Sequence, residues 1–281
     1  MSSRSCVVCG GLHAASRLPG LLKCRSCGFS TADLEISTEE LESLYTAKYF
    51  AGLEYKDYVA EQALIEKQFR VRLATLLRYV PDAASKRLFE IGSAYGFFLS
   101  VARSKFLSVE GIDISRDAAT YARERLGFPV HVGDFLDFDL EHNLDVVCLW
   151  DTIEHLKNPD LYLEKIAGNM NRGGVIAITT GDIGSFVAHV RGSKWRQIHP
   201  PTHLHYFSKS TLTKLLEKYG FTVLSCGHEG VYRSMDTSAY IILNIKHHLP
   251  SAYAALKRSG LLNWSLYLNL YDILFLVATR N

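Results

Sequence analysis

The stretch Leu88-Phe-Glu-Ile-Gly-Ser-Ala-Tyr-Gly96 decides the fold of this 281-residue chain. Its apolar first half is typical of a buried strand, and the glycines that follow are typical of a tight turn into a helix. Gly92 permits a sharp turn and a close approach of the backbone, and Gly96 lets the start of the helix pack tightly. Exposed amides there suit the carboxylate of an amino-acid-like ligand. A strand-to-helix turn without a ligand would have the same pattern.

Strands alternate with helices from Arg87 onward, which predicts an α/β fold with a mostly parallel, doubly wound sheet. Seven strands are predicted, at 87–91, 108–112, 129–132, 144–150, 175–179, 222–229 and 273–278. We expect the last of them to be antiparallel. The predicted helices of this region are 96–104, 116–126, 159–170 and 209–219.

Two carboxylates follow the first turn at the ends of successive predicted strands. Asp113 ends the second strand, 23 positions after Glu90, where it can accept hydrogen bonds from both hydroxyls of a ribose. Asp134 ends the third strand, where it can accept from an adenine amino group while Phe135 packs on the ring. Each aspartate could instead be a helix N-cap. Capping alone does not account for both of them after a glycine turn, because ligands of open α/β sheets bind at these strand ends.

With these residues in place, the chain resembles the class I S-adenosylmethionine (SAM)-dependent methyltransferases, whose first motif reads acidic-x-Gly-x-Gly-x-Gly. It matches at Glu90, Gly92 and Gly96 and carries Ala94 at the middle glycine. The segment 150–156 falls on the exit of the family's fourth strand. The resemblance implies a Rossmann-like fold and a SAM site. The contacts expected on this basis are Glu90, Gly92, Ser93, Ala94, Gly96, Asp113, Ile114, Asp134, Phe135, Trp150 and Tyr49.

Two Cys-x-x-Cys pairs lie near the N-terminus, Cys6 with Cys9 and Cys24 with Cys27, separated by 14 residues. Four thiolates in this pattern can surround one Zn²⁺ tetrahedrally and leave no open position, so the predicted zinc is structural. The alternative is four free or disulfide-bonded thiols. A cytoplasmic location is expected, and its reducing conditions favour the metal.

The chain therefore divides into a zinc ribbon at 1–36, a helical lid or linker at 37–80, and a Rossmann-like methyltransferase domain at 81–281. Ser37-Thr-Glu-Glu40 is a capping-box pattern that begins the first lid helix, and a second helix is predicted over 56–79. Tyr49 on the first helix either packs that amphipathic helix or places its ring over the sulfonium of SAM.

Methyl transfer to a hydroxyl or a carbon acid requires a group that removes a proton. His155, beside Glu154, follows the fourth strand and is a candidate base. A second candidate region is the loop 195–207, which contains the run His199-Pro-Pro-Thr-His203. The resemblance favours substrate-facing roles for His199 and His203, and one of them could be the base. A second metal site at these histidines is the weaker interpretation, since the loop carries no carboxylate.

The formal net charge of +2 gives no argument for nucleic-acid binding. The start of the chain lacks the pattern of a signal peptide. The apolar segment 261–278 is interrupted by polar residues and by Asp272, so it predicts a buried helix followed by a terminal strand rather than a membrane span. Peripheral membrane association stays open.

The sequence therefore predicts a SAM-dependent methyltransferase acting on a small-molecule acceptor, expected to be a sugar or saccharide-linked hydroxyl or carbon. Nucleotide-sugars, polysaccharides and quinone-like phenols fit the same pattern. One alternative is a nicotinamide-dependent oxidoreductase, but residues 92–97 lack its Gly-x-Gly-x-x-Gly motif. The other alternative is a non-catalytic protein with a zinc ribbon that binds SAM or a partner.

Overall fold

A computed structural model of the protein describes residues 5–44 and 58–281. The strands are β1 His13–Ala15, β2 Leu21–Cys24, β3 Ser30–Ala32, β4 Arg87–Ile91, β5 Ser108–Asp113, β6 Val130–Val132, β7 Leu144–Trp150, β8 Met170–Gly181, β9 His205–Tyr206, β10 Phe221–His228, β11 Val231–Ser234, β12 Ser265–Leu268 and β13 Ile273–Arg280. The α-helices are α1 Thr38–Leu44, α2 Gln62–Leu76, α3 Phe97–Ala102, α4 Arg116–Tyr121, α5 Pro159–Asn169, α6 Phe186–Arg191, α7 Lys209–Lys218, α8 Met235–Ala239 and α9 Pro250–Arg258.

Seven strands form the central sheet in the order β10-β13-β8-β7-β4-β5-β6. The neighbours from β8 to β6 are parallel, and β13 is antiparallel to β8 and to β10. This confirms the predicted α/β fold with an antiparallel last strand. Strands β4 and β7 have the bounds that the sequence predicted, because both are continuous apolar runs flanked by turn residues.

Both faces of the sheet are covered, which is why its strands are apolar on both sides. Alternate residues of each strand point to opposite faces. Leu88 of β4 packs with helices α2, α3 and α4, whereas the next residue, Phe89, packs with α5 and α7. Val146 and Val147 of β7 divide in the same way. The core therefore has two layers, one on each side of the sheet.

The N-terminal segment forms a second, four-stranded antiparallel sheet of order β1-β2-β3-β9. Its fourth strand comes from the histidine-rich loop far along the chain, since Ser30 and Thr31 pair with Tyr206 and His205. The Ala32 amide also donates to the carbonyl of Leu204 at 2.8 Å. The ribbon and this loop are thus one hydrogen-bonded unit.

One prediction for the C-terminal region is wrong. The segment 261–278 contains no buried helix, and its first half is instead the short strand β12, which pairs with β11 and is largely exposed. The terminal strand β13 is as expected. Local apolar content did not separate helix from strand here, because the pairing partner β11 lies over thirty residues away. Across the described residues, no helix has the length and apolar character needed to cross a bilayer.

Helix α2 is tied to the sheet by a buried cation. Arg72 is only 3% exposed, and its guanidinium lies 2.8 Å from the carboxylate of Asp151, just after β7. Its Nε donates to Glu229, just after β10, also at 2.8 Å. A buried charge is stable only when it is paired in this way. Arg72 therefore joins three elements at the carboxyl edge of the sheet.

We expect Arg72→Met to lower the free energy of unfolding by about 3 kcal/mol, because it leaves the buried Glu229 carboxylate without its cation. The matched control is Arg70→Met on the same helix, where the arginine pairs with Glu66 at 2.9 Å but is 60% exposed. That control should cost less than about 1 kcal/mol. Urea denaturation gives both values. Equal losses in the two variants would contradict this role of Arg72.

Candidate active site

The turn after β4 is held open by glycine. Gly92 has a φ of +75°, and a Cβ atom there would lie 2.6 Å from the side chain of Thr152. Gly96 also has a φ of +75°, and a Cβ atom there would lie 3.0 Å from the Cβ atom of Ala122. The absence of a side chain therefore lets the start of α3 pack closely against Ala122. Ala94 at the middle position takes a φ of +45°, the left-handed conformation that glycine adopts more easily. The turn is therefore built as expected, with its alanine in a costly backbone geometry.

Asp113 lies at the end of β5 with its carboxylate against this turn. Its two oxygens accept the backbone N–H groups of Ala94 at 2.7 Å and Ser115 at 2.8 Å. Burial raises the pKa of Asp113 to about 6, while these two amides act in the opposite direction. Ser115 is the N-cap of α4. Asp113 is therefore not the capping residue of that helix, which was the alternative interpretation of this aspartate.

Asp134 has a double role. It caps a short 3₁₀ turn, because its Oδ1 accepts the N–H of Leu136 at 2.7 Å. The same oxygen accepts the hydroxyl of Tyr162 at 2.5 Å. Phe135 is only 1% exposed, and its ring packs with those of Phe89 and Tyr162. The capping interpretation of Asp134 is thus correct, and its Oδ2 is left for other partners.

The three strand ends enclose a first cavity of about 340 Å³, a size typical of small-molecule sites. Of the residues expected to contact a cofactor, those that line it are Glu90, Gly92, Ser93, Ala94, Asp113, Ile114, Asp134, Phe135 and Trp150. Gly96 does not line it and serves helix packing instead. Tyr49 lies outside the described residues, and its place over the cofactor stays a prediction. Among the lining residues that sequence reasoning missed are four that precede β4 in the chain, Leu41, Tyr58, Phe69 and Arg72.

A second cavity of about 470 Å³ adjoins the first. The residues that line both cavities are Tyr58, Phe69, Arg72, Asp151 and His155. The second cavity is also bordered by Glu154 and His203 and by side chains from the C-terminal region. Two cavities that share a wall suit a reaction between two bound molecules.

The structure brings the three candidate histidines together. The ring centroids of His155 and His203 are 4.6 Å apart, and those of His199 and His203 are 3.8 Å apart. His155 and His203 line the second cavity, whereas His199 lines neither cavity. Nδ1 of His155 lies 2.8 Å from the carbonyl oxygen of Thr202 in the loop. Both the strand exit and the loop therefore supply this cluster.

The loop 195–207 is fixed at several points, which is why its histidines meet the exit of β7. The amides of Leu204 and His205 both donate to the carbonyl of Glu154, at 2.9 and 3.1 Å. At the other end of the loop, the indole N–H of Trp195 donates to Asp272 at 3.0 Å. Tyr206 and Phe207 are buried, as expected for residues that pack the loop down.

Burial shifts the pKa values of Glu154, His155 and His203 so that the uncharged form of each is favoured. It lowers the pKa of His155 to about 4 and holds the pKa of His203 far below its usual range, where His155 and His199 add to the effect. Burial, followed by the nearby Asp151, raises the pKa of Glu154 to about 8. One Glu154 oxygen, Oε2, has no hydrogen-bond partner among the described residues. At neutral pH the carboxyl group of Glu154 is therefore protonated, and the imidazoles of His155 and His203 are neutral.

The four N-terminal cysteines also meet. The sulfur atoms of Cys6 and Cys27 are 3.6 Å apart, those of Cys9 and Cys24 are 3.5 Å apart, and all four lie within 4.8 Å of one another. Tetrahedral zinc with Zn–S bonds of about 2.3 Å places its sulfurs about 3.8 Å apart. All four are free thiols rather than disulfides. The donor set and its spacing therefore fit one zinc ion.

The raised pKa of Glu154 predicts a pH-dependent stability. In the unfolded chain this carboxyl ionises near its ordinary value of 4.5, but in the folded protein only near pH 8. The folded state is therefore favoured below pH 4.5 by the retained proton, and this contribution is lost as the pH rises to about 8. Relative to Glu154→Gln, the wild type should lose unfolding free energy at up to about 1.4 kcal/mol per pH unit in this window. Chemical denaturation at a series of pH values measures the difference, and a constant difference would contradict it.

Comparisons with known proteins agree with this geometry. A family model described as a methyltransferase domain matches residues 64–226. An N,N-dimethyltransferase of dTDP-4-amino-2,3,4,6-tetradeoxy-D-glucose from Saccharopolyspora spinosa is 31% identical over 129 residues, which cover 44% of this chain and 48% of that protein. An N,N-dimethyltransferase of dTDP-3-amino-3,6-dideoxy-alpha-D-glucopyranose from Streptomyces fradiae is 32% identical over 128 residues, 44% of this chain and 47% of that protein. The chain spans about half the length of these curated relatives.

Among solved structures, a SAM-dependent methyltransferase of Thermotoga maritima, described as a possible histamine N-methyltransferase, superposes with a TM-score of 0.56. It is 17% identical, and the match covers 86% of this chain and 98% of that one. Such low identity shows the fold alone. The family model, however, matches more than half of the 281 residues. The chain therefore belongs to the methyltransferase-domain family and has the fold of the class I SAM-dependent methyltransferases.

Proposed function

We propose that this protein transfers the methyl group of SAM to a sugar acceptor. The observation that carries the proposal is the pair of cavities that share one wall. One cavity is bordered by the Gly92 turn with Asp113 and Asp134, and the other by Glu154 with His155 and His203. The first has the dimensions and strand-end carboxylates of a nucleoside site, and the second has groups that can handle a proton.

SAM would occupy the first cavity. Asp113 accepts one backbone amide on each oxygen, and each carboxylate oxygen retains a second lone pair for a ribose hydroxyl. Asp134 uses Oδ1 for Leu136 and Tyr162, so Oδ2 is the oxygen available to the adenine amino group. Tyr58 lines both cavities and stacks on Phe97, with ring centroids 5.4 Å apart. An aromatic face at this wall would favour a sulfonium by cation–π attraction.

The chain's own residues would align the acceptor and take up its proton. When bound, SAM supplies an electrophilic methyl group, and the acceptor oxygen forms a bond to that carbon as the carbon–sulfur bond breaks. The acceptor's proton must then leave. His203 lines the second cavity, and its burial keeps the imidazole neutral. Because the same burial makes it a weak base, it would take the proton only as the methyl–oxygen bond forms and the acceptor oxygen becomes strongly acidic. The ring of His199 packs against that of His203, and His155 is oriented by the carbonyl of Thr202.

A hydroxyl or carbon of the sugar is the acceptor expected from the sequence. An amino group is the second candidate, and it is supported by the curated relatives, which are named for N,N-dimethyl transfer to amino sugars carried on dTDP. Asp151 also lies on the wall of the second cavity, where its carboxylate can accept a hydrogen bond from an amino group of the substrate. Turnover distinguishes the two candidate acceptors, because only N-methylation requires an amino group on the sugar.

The four cysteines would hold a structural zinc ion. Backbone amides of Val8 and Cys9 donate to the sulfur of Cys6, and those of Ser26 and Cys27 donate to the sulfur of Cys24. Such hydrogen bonds stabilise thiolates. With four sulfur ligands the ion would have no open position for a substrate. A cytoplasmic location, where thiols stay reduced, belongs to the same proposal.

Release of S-adenosylhomocysteine tests the methyl transfer. The wild type should bind SAM in calorimetry and turn over either a dTDP-sugar or its amino analogue. His203→Gln should keep the affinity for SAM and lower kcat by about 10²-fold to 10⁴-fold on a hydroxyl acceptor, because the proton has no acceptor. The exposed His189 on α6 provides the matched control, His189→Gln.

SAM binding without turnover on any sugar would support the non-catalytic alternative. Binding of a nicotinamide cofactor in place of SAM would support the oxidoreductase.

Zinc removal is the second test. The protein as purified should contain one zinc ion per chain, measured by mass spectrometry of the metal. Cys9→Ser should lose it and unfold at a lower temperature, since structural zinc contributes folding free energy directly. Cys226→Ser is the control, because this thiol lies in β10, outside the cluster. Full zinc content in Cys9→Ser would contradict the four-cysteine site.

A further inference from the structure

The segment between β11 and β13 is packed in an unusual way. Residues 240–271, termed the C-terminal insert, comprise a π-helix at Tyr240–Lys246, helix α9 and strand β12. Leu262 is the one buried residue within it. Neither helix of the insert contains a buried side chain. The insert is therefore a surface layer rather than part of the core.

This layer carries most of the large hydrophobic side chains that are exposed in the described part of the chain. Of seventeen large hydrophobic residues that are exposed in the described part of the chain, eleven lie in the insert. They are Ile241, Ile242, Ile245, Leu249, Leu261, Trp264, Leu266, Tyr267, Leu268, Leu270 and Tyr271. Scattered single apolar residues need no explanation, but concentration in one short segment marks an interaction surface.

All the formally charged residues of the insert are basic. Residues 240–271 contain Lys246, Lys257 and Arg258 and two histidines, but no aspartate or glutamate. Lys257 lies 3.5 Å from Asp236, outside the insert, and keeps 55% of its side chain exposed. Basic residues among exposed aliphatic and aromatic side chains are typical of proteins that lie on an anionic lipid surface.

The insert is held to the protein on its inner side. The rings of Tyr240 and Tyr253 are in contact at 5.3 Å, and the hydroxyl of Tyr253 donates to Asp236 at 2.8 Å. Strand β12 pairs with β11 along its length. Tyr240, Ile241 and Ile245 form part of the wall of the second cavity. The N-terminal end of the insert therefore borders the cavity that contains Glu154 and His203.

We infer that the C-terminal insert docks the protein on an anionic membrane surface, with its apolar side chains in the headgroup region and the second cavity beside them. A second copy of the chain is a poorer occupant. A two-fold interface would place the same basic segment against itself, and like charges in contact oppose association. The inference concerns lipid binding alone and does not rest on methyl transfer.

Vesicle binding tests it directly. The full chain should sediment with phosphatidylcholine–phosphatidylglycerol vesicles, bind phosphatidylcholine vesicles much more weakly, and be released by salt. Trp264 is 54% exposed, whereas Trp150 and Trp195 are buried, so a blue shift of tryptophan emission on the vesicles reports this site. Trp264→Phe should abolish the shift while sedimentation persists.

Two pairs of variants separate the apolar and basic contributions. Ile242→Ser with Leu261→Ser removes side chains that are 51% and 65% exposed, and it should weaken binding at least about tenfold. Its control, Leu107→Ser with Phe186→Ser, removes apolar residues that are 59% and 80% exposed elsewhere and should change nothing. Lys246→Gln with Arg258→Gln should weaken binding about fivefold per residue. Arg78→Gln with Arg116→Gln is the basic control.

Failure to bind the anionic vesicles would overturn the inference, as would an equal loss of binding in the control variants. A dimer that Ile242→Ser with Leu261→Ser converts to a monomer in the absence of lipid would also overturn it. That result would assign the surface to a second copy. Thermal denaturation of each variant should match that of the wild type, because every substituted side chain is exposed.

Discussion

The buried guanidinium of Arg72 is the interaction on which the active-site region depends. It joins helix α2 to Asp151 after β7 and to Glu229 after β10, and it lines both cavities. Buried acidic groups surround it, and Glu90 and Glu229 each have a carboxyl oxygen without a hydrogen-bond partner among the described residues. Burial raises the pKa of Glu90 well above its ordinary value. Even with Glu90 uncharged, aspartates outnumber cations on the wall of the first cavity, which favours a positively charged ligand such as a sulfonium. The aspartates are Asp113, Asp134, Asp137 and Asp151, and the cations are Arg72 and Lys157.

The second constraint is the four-stranded sheet that joins the cysteine ribbon to the histidine-containing loop 195–207. Strand β3 of the cysteine ribbon pairs with β9 of the histidine loop, and Phe29 stacks against His205 with ring centroids 5.5 Å apart. The carbonyl of Glu154 accepts two amides of the same loop. The position of His203 therefore depends on the ribbon as well as on the strand exit. In this arrangement the ribbon acts as a support for the histidine cluster, and this gives the cysteine site a physical connection to the second cavity.

Local patterns explain why some elements could be predicted closely and others could not. Strands β4 and β7 are apolar on both faces and bounded by turn residues, so their limits follow from residue type alone. The capping box at Ser37 and Glu40 is also local, and both of its reciprocal hydrogen bonds are present. By contrast, β12 and β9 exist through pairing with distant strands. No local pattern could have predicted those partners.

The sequence by itself determined the α/β fold, the glycine turn at Gly92 and the two Cys-x-x-Cys pairs of the cysteine cluster. Each of these depends on residue types at short spacing in the chain. Nine of the eleven residues that it predicted to contact a cofactor line the first cavity, since parallel strand ends converge at one edge of the sheet. The tertiary structure alone decided that Arg72 and Tyr58 border both cavities and that His203 rather than His199 faces the second. It also showed that a cavity lies beside the Gly92 turn. These features arise from contacts between segments far apart in the chain. Such contacts produce no local sequence pattern from which they could be predicted.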